Sequence, residues 1–196
     1  YETPWTNVSN SPFRLFKRWI HEGGISAPLI VHWPNEINEP RIESEPLHIM
    51  DIPATSIDAA GAVYPNEFNG NKIKPIEGES FLNLLNNKWS REKPMFWEHE
   101  GNQGIRIGEW KLVKEYGGEW ELYNMIDDRT ELNNLAAKDT DRVNDMSLKW
   151  EEWAKNSNVL QWPVDPNVMA KRLEGEHSHI HQHRGATASQ IAEGKG

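Results

Sequence analysis

The sequence predicts an α/β chain in which one buried strand precedes a small antiparallel sheet and a helix that covers it. Three observations carry this prediction. An apolar run bounded by prolines at residues 28–34 is typical of a strand buried on both faces of a parallel or mixed sheet. Strand-like segments separated by glycines follow between residues 95 and 123. Residues 139–156 then carry apolar side chains at helical spacing, with charged side chains opposite.

The N-terminal third contains the apolar run and one predicted helix. Residues 1–16 are polar and rich in turn-forming residues, which predicts a loop. Apolar side chains recur at helical spacing through residues 47–57, and Gly61 stands where a C-terminal cap is expected. Pro53 leaves two possibilities open: a helix that starts at Asp51, or an earlier helix that is kinked.

The composition changes near residue 62, where we place a domain boundary. Residues 64–78 predict a loop and residues 81–85 a short helix. The later strands are joined at Gly108-Glu109 and Gly117-Gly118, which are glycine turns of the hairpin type. The predicted strands are residues 95–97, 105–107, 110–114 and 120–123.

These strands alternate apolar and charged side chains. Trp110 and Leu112 would share an apolar face under the terminal helix, while Lys111 would face water. Residues 63–163 are therefore predicted to form a small α+β subdomain, an antiparallel meander packed by a C-terminal helix. Residues 164–196 are polar, have little to bury, and are predicted to be a disordered tail.

Composition excludes several classes of function. The net charge of -9 argues against nucleic acid, which needs a clustered basic footprint. There is no cysteine, so the chain holds no disulfide, thiolate metal site or cysteine nucleophile. No run approaches the roughly 18 apolar residues that span a bilayer. Because Tyr1 is not a methionine and no signal peptide follows it, we expect a mature or fragmentary chain.

Lys17 is the first candidate for chemistry. A lone surface lysine is usually only solvated, and its charge alone favours that interpretation. Its sequence context favours a ligand-binding role instead. Gly23 and Gly24 allow a backbone to approach a ligand closely, and the segment leads into the predicted buried strand. An ammonium group held there is a point charge suited to an anionic oxygen.

His21 and Glu22 lie beside Lys17 in the same segment. His21 could be a proton donor or a ligand, although such a residue more often packs against a sheet and hydrogen-bonds a carbonyl. Glu22 could pair with Lys17 or Arg18, or cap the following loop. We favour a structural role for Glu22.

At this point the chain resembles a known family, the type I sulfatases, the arylsulfatase group with an alkaline-phosphatase-like α/β fold. The resemblance spans about residues 7–163, and its sharpest part is K-x-x-x-H-E-G-G-[IV] before a strand ending in W-P. Residues 1–62 would then be the end of the catalytic domain. The stretches that carry it are "SNSPFRLFKRWIHEGGISAPLIVHWP", "LHIMDIPATSIDAAGAVYP", "PMFWEHEGNQGIRIGEWKLVK" and "WELYNMIDDRTELNNLA".

The resemblance implies hydrolysis of a sulfate monoester, either an aryl sulfate or a sulfated glycan. By position Lys17 matches the family's sulfate-binding lysine, and His21 is a possible secondary contact. Enzymes of this type are commonly exported, so the resemblance implies a periplasmic or secreted location. The family's nucleophile is a formylglycine made from Cys or Ser in C/S-x-P-x-R, and its metal is calcium.

This chain departs from the family in what it lacks. No cysteine is present, and "SPFR" at Ser11 is one residue short of the nucleophile motif. The family's metal ligands are an aspartate pair near the N-terminus and an Asp-Asn pair upstream of this segment, and no Asp-Asn dipeptide occurs here. Asp127-Asp128 falls in a late acidic turn that we interpret as solvated. We therefore expect a C-terminal portion that binds no metal or cofactor, is inert alone, and needs the missing N-terminal half.

The segment "WEHEGN" at residues 97–102 is a second candidate site. Glu98 and Glu100 would lie on the same side of a strand, whereas paired catalytic carboxylates usually face each other across a cleft. The resemblance places this stretch near the active-site mouth, so His99 and Asn102 could touch the sugar or aryl part of a substrate. Equally, these side chains could only form hydrogen bonds at the end of a strand, without touching a substrate.

The tail offers a third candidate, because its histidines alternate and would lie on one side of an extended chain. Such a row could bind a transition metal, although we favour adventitious affinity over function. The residues are His177, His179, His181 and His183.

Two rival functions stay open. A phosphodiesterase or phosphonate hydrolase of the same superfamily would also surround a tetrahedral anion with cations. A non-catalytic glycan-binding module would need Trp110 or Trp120 on a solvent-facing aromatic platform, whereas the alternation predicts that both pack under the terminal helix.

Overall fold

The computed structural model describes residues 3–37, 39–86 and 89–165. The chain divides into two compact units, Tyr1–Asn156 and Ser157–Gly196. Most of the predicted tail, including its histidines, lies outside the described residues. The predicted division near residue 62 stays a prediction. None of the described helices is both long and apolar enough to cross a membrane.

The N-terminal third carries three short helices: α1 (Thr3–Ser9), α2 (Glu22–Ile25) and α3 (Asp51–Ala59). The prediction of a loop over residues 1–16 is therefore wrong for α1. Of the two possibilities for α3, the helix begins at Asp51, with Pro53 in its first turn where a missing N–H is tolerated. Gly61 ends it with a φ of 61°. The Gly61 and Ala62 amides donate to Asp58 and Ile57, the pattern of a Schellman cap.

The apolar run at residues 28–34 is not a strand, which corrects the sequence prediction. Leu29 and Val31 are exposed, and Ile30 is 91% exposed. A central strand needs neighbours for its N–H and C=O groups on both sides. Among the described residues, both sheets are antiparallel and neither includes this run. The run therefore has the composition of a buried strand without the neighbours that would bury it.

A small hairpin interrupts the segment predicted as a loop. Strand β1 (Glu67–Phe68) pairs with β2 (Asn71–Lys72) across Asn69-Gly70. Both turn residues have positive φ, 51° and 78°, as a type I′ turn requires. The Asn-Gly dipeptide was a signal for this hairpin. A 3₁₀ helix at Leu82–Asn86 stands one residue later than predicted.

The main sheet is an antiparallel meander, as predicted. Its strands are β3 (Met95–His99), β4 (Asn102–Ile107), β5 (Trp110–Lys114) and β6 (Trp120–Asn124), in the spatial order β3-β4-β5-β6. Gly108 and Gly117 take positive φ in the connecting turns. The register aligns three fully buried side chains across the sheet, Ile105, Leu112 and Leu122.

Helix α4 (Thr140–Asn156) covers one face of this sheet, which confirms the predicted packing. Trp153 stacks on Phe96 with ring centroids 5.1 Å apart and planes 4° apart. Trp150 meets Trp120 edge-on at 6.2 Å. Aromatic contacts of this kind bury large apolar areas, so they fix the helix on the sheet.

The opposite face was predicted to be exposed to water, and that prediction is wrong. Lys111 is 0% exposed, and Val113 and Tyr123 are also buried. Residues 13–25 lie across this face, and Ile20 packs into a cluster with Val113 and Tyr123. The packing requires glycine at position 104, because a Cβ there would lie 2.3 Å from the Cγ2 of Ile20. The sheet is thus covered on both sides.

Candidate functional site

The segment that covers the second face begins with a turn that presents Lys17. We call residues 15–19 the Lys17 loop. Its turn is closed by the Trp19 amide, which donates to the Phe16 carbonyl at 3.2 Å. Leu15 and Arg18 have φ values of 66° and 110°, which non-glycine residues rarely adopt. Such strain persists only where surrounding contacts hold it, and it clusters at functional sites.

Lys17 is exposed, and within the described ranges its ammonium group has no hydrogen-bond or ion-pair partner. Arg18 and Trp19 in the same loop pair with Glu100 and Glu115, whereas the Lys17 charge has no such partner in the described part of the chain. The predicted sulfate-binding role of Lys17 stays a prediction, and its geometry is compatible with an anion that approaches from outside the chain.

The β3–β4 turn lies beside the Lys17 loop. The Arg18 guanidinium is 2.9 Å from the Glu100 carboxylate. Glu100 and Gly101 have φ values of 51° and 80°, so they form a two-residue turn of type I′. Glu98 remains on β3, where its carboxylate accepts from the Gly101 amide at 2.8 Å. The prediction that Glu98 and Glu100 lie on the same side of a strand is therefore wrong.

Asn102, the first residue of β4, joins three loops. Its Nδ2 donates to the Arg18 carbonyl at 3.2 Å and to the His99 carbonyl at 2.9 Å. Its Oδ1 accepts from the Tyr116 amide at 3.1 Å. Asn102 is 3% exposed, while His99 is exposed at the end of β3. The predicted substrate contacts of Asn102 and His99 stay predictions, and the structure brings both residues to the end of the sheet beside the Lys17 loop.

His21 points at the sheet. It is 1% exposed, and its Nε2 lies 3.1 Å from the Glu121 carboxylate. Arg14 and the Tyr123 hydroxyl contact the same carboxylate. The hydrogen bond with His21, followed by that from Tyr123, lowers the pKa of Glu121 to about 2, against the effect of burial. Burial and the bond to Glu121 raise the pKa of Tyr123 above its usual range. A direct role for His21 stays a prediction.

His21, Glu115 and Glu121 are the candidate metal ligands among the described residues, because their ligand atoms lie within 4.8 Å of one another. The group does not fit calcium, which takes six to eight oxygen ligands. The Arg14 guanidinium is 3.5 Å from Glu121 and 4.0 Å from Glu115, so both carboxylates already have a cationic partner. Trp19 also donates to Glu115 at 3.3 Å.

A buried ion cluster fixes the glycine-rich part of the segment. The Lys111 ammonium is 2.8 Å from Glu22 and 2.8 Å from Glu131. Glu131 also accepts from the Glu22 amide at 2.7 Å. Burial, the largest single influence, raises the pKa of Glu22, but Lys111, Arg106 and Arg129 together outweigh it, so the pKa lies below its ordinary value. The sequence offered Lys17 or Arg18 as the partner of Glu22, and the structure corrects this to Lys111.

Comparison with known proteins identifies the family. The model of the family described as N-sulphoglucosamine sulphohydrolase, C-terminal, matches residues 13–156. The chain belongs to the sulfatase family. It corresponds to the C-terminal portion, so the resemblance stated from the sequence is confirmed. The match begins at the segment that carries Lys17 and ends with helix α4.

Individual sulfatases match over the same region. An uncharacterized sulfatase of Schizosaccharomyces pombe is 31% identical over 84% of this chain and 31% of its own length. The N-acetylglucosamine-6-O-sulfatase of Bacteroides thetaiotaomicron is 30% identical over 62% of this chain and 23% of its own. The crystal structure of Ps i-CgsB with k-i-k-neocarrahexaose is 22% identical, with a TM-score of 0.47, over 57% of this chain and 25% of that one. The chain spans a third or less of these relatives.

Proposed function

We propose that this chain forms part of an enzyme that hydrolyses a sulfate monoester, and that Lys17 binds a sulfuryl oxygen. The observation that carries the proposal is the exposed ammonium of Lys17 on a strained turn, without a partner among the described residues, at the position that the resemblance assigns to the family's sulfate-binding lysine. In this proposal the formylglycine nucleophile and calcium belong to the part of the enzyme outside this chain. The chain by itself is then inert.

Lys17 would act by electrostatics. Hydrolysis of a sulfate ester moves negative charge within the sulfuryl group and onto the leaving oxygen. A fixed ammonium group in a site that excludes water stabilises such charge without having to reorganise during the reaction. The turn that holds the backbone around Lys17 supports this, because a backbone already in place loses less freedom when the anion arrives.

For the substrate we propose a sulfated glycan ahead of an aryl sulfate. The name of the N-acetylglucosamine-6-O-sulfatase supports a sulfated sugar for a related enzyme. Exposed His99, on the strand next to the Lys17 loop, would contact the sugar. A periplasmic or secreted location is part of the same proposal and rests on the resemblance alone.

The structure weakens the glycan-binding module as a rival. That function required a free aromatic platform at Trp110 or Trp120. Trp120 is half-buried against Trp150, and the Arg142 guanidinium of α4 lies 4.1 Å from the centre of the Trp110 ring. Both rings are therefore partly covered, whereas a platform that stacks on a sugar needs an open ring face.

The test is Lys17→Ala in the full-length enzyme, assayed on 4-nitrophenyl sulfate. We expect kcat/KM to fall about 100-fold or more, as for removal of a preorganised charge-stabilising group. Lys155→Ala is the matched control, because Lys155 is an exposed lysine on α4, which covers the other face of the sheet. Turnover close to wild type in Lys17→Ala would overturn the assignment.

The same assay addresses the rival within the superfamily. A phosphodiesterase or phosphonate hydrolase would turn over bis(4-nitrophenyl) phosphate or a phosphonate ester faster than the sulfate ester. We expect the sulfate ester to be preferred, and a preference for the phosphorus esters would contradict the proposal.

A further inference from the structure

We propose that Asn102 is a positioning residue that holds the Lys17 loop in its sulfate-binding conformation. The inference rests on the proposed function of Lys17. It replaces a substrate contact by an indirect role, in which Asn102 acts on the sulfate through the backbone next to Lys17.

The loop needs an external support. Lys17 and Arg18 are the central residues of the turn that Phe16 and Trp19 close. Arg18 has a φ of 110° at the second central position, where turns with a positive φ ordinarily place glycine. An arginine therefore disfavours this conformation, and the isolated segment would relax to another one. The direction of the Lys17 side chain depends on that turn.

The support comes from two contacts on Arg18. The Asn102 Nδ2 donates to the Arg18 carbonyl, which immediately follows the strained φ. The Arg18 side chain pairs with Glu100 in the adjacent turn. The ion pair is half-exposed and is expected to contribute little, since surface pairs are screened by solvent. The hydrogen bond from buried Asn102 is the stronger support.

Asn102 is itself fixed and fully used. The Nδ2 group also donates to the His99 carbonyl, and the Oδ1 accepts from the Tyr116 amide. With 3% of its surface exposed, it has little area to offer a substrate. The amide joins the Lys17 loop to the β3–β4 and β5–β6 turns, so it transmits the rigidity of the sheet to the loop.

A double-mutant cycle separates positioning from general stability. Wild type, Lys17→Ala, Asn102→Ala and the double variant of the full-length enzyme are assayed on 4-nitrophenyl sulfate, with inorganic sulfate as a competitive inhibitor. We expect Asn102→Ala to lower kcat/KM by about 10- to 100-fold and to raise the inhibition constant of sulfate by a similar factor. In the Lys17→Ala background the same change should cost less than about 2-fold, because the group it positions is gone.

Control variants show that the effect is local. Asn124 also accepts backbone amides, from Ile126 at 2.9 Å, but lies at the opposite end of the sheet. Asn124→Ala should lower the Tm without changing kcat/KM. If Asn102→Ala does not fold, Asn102→Asp retains the oxygen that accepts from Tyr116 and removes both donated bonds, and the same coupling is expected.

The outcomes distinguish the two claims. An equal loss for Asn102→Ala in both backgrounds, with Lys17→Ala itself severe, overturns the positioning role and leaves the proposed function standing. An unchanged kcat/KM in Lys17→Ala overturns the sulfate-binding role proposed for Lys17, and the positioning role falls with it. Wild-type kinetics in Asn102→Ala also overturn the positioning role.

Discussion

The main sheet and the apolar run at residues 28–34 have similar strand-forming sequences, but only the segments of the sheet form strands. The sheet forms, with Ile105, Leu112 and Leu122 fully buried. The run stays without a strand partner among the described residues, and Ile30 is 91% exposed. The difference shows that strand composition is not sufficient. A strand forms where its neighbours are within reach.

The neighbours of β3 to β6 are local. Each strand joins the next by a short turn, so that little loop entropy opposes pairing. The sheet is then covered on one face by α4 and on the other by residues 13–25. A strand buried in a parallel or mixed sheet needs neighbours that come from distant segments. Since the chain spans a third or less of its relatives, we propose that the neighbours of the run belong to the rest of the enzyme.

The largest effect is expected where the N-terminal segment is pinned to the sheet. Lys111→Met should lower the free energy of unfolding by about 3–5 kcal/mol, because two buried carboxylates lose their only buried cation among the described residues. Urea denaturation followed by tryptophan fluorescence measures it. Lys149→Met, which breaks an exposed pair within α4, should cost about 0.5 kcal/mol or less. Equal effects for the two variants would show that the cluster does not anchor the segment.

An intermediate effect is expected from acid at Glu121. Its pKa is lowered from 4.5 to about 2, so the folded state binds this proton less readily than the unfolded state. The stabilisation is therefore present above pH 4.5 and is lost as the pH falls towards 2. Between pH 5 and pH 3 we expect wild type to lose about 1–2 kcal/mol more than Glu121→Gln, after allowance for solvent screening.

Urea midpoints at the two pH values decide this prediction. Glu119→Gln is the matched control, since Glu119 is an exposed carboxylate beside the same strand. Its acid dependence should equal that of wild type. Identical acid dependence in wild type and Glu121→Gln would contradict the role given to His21 and Tyr123 as partners of Glu121.

The smallest effect in this chain is expected in the apolar run. Ile30→Ser should change the stability of the chain by less than about 0.5 kcal/mol, because an exposed side chain has no burial to lose. In the full-length enzyme the same variant should be destabilised by about 2 kcal/mol or more if the run becomes a buried strand. Thermal unfolding of both proteins tests this. A loss of stability in the shorter chain but not in the full-length enzyme would contradict the interpretation that the run is exposed here and buried in the whole enzyme. Ile42→Ser is the control, because Ile42 is an exposed isoleucine outside the run.

The sequence predicted the regular parts of the fold for clear reasons. Helix α4 follows from an apolar stripe at helical spacing, and the hairpins follow from glycines where positive φ is needed, as at Gly108. Helix α1 was missed because a short helix in a polar segment carries a weak pattern. The Asn69-Gly70 hairpin was missed because its Asn-Gly signal is not flanked by alternating apolar residues. The resemblance to sulfatases indicated Lys17. Its strained turn, and the lack of a partner for its ammonium among the described residues, were visible only in the structure.

What the sequence determined by itself is therefore the local order: the family, the meander, the covering helix and the lysine ahead of the glycines. Only the tertiary structure decided which distant residues contact and hold these elements. Lys111 lies on what alternation marks as the exposed face, and it is buried because residues 13–25 bring Glu22 across that face. Asn102 supports Arg18 from 84 positions away in sequence. Periodicity describes one element at a time, whereas burial and ion pairing depend on which distant segment arrives at its surface.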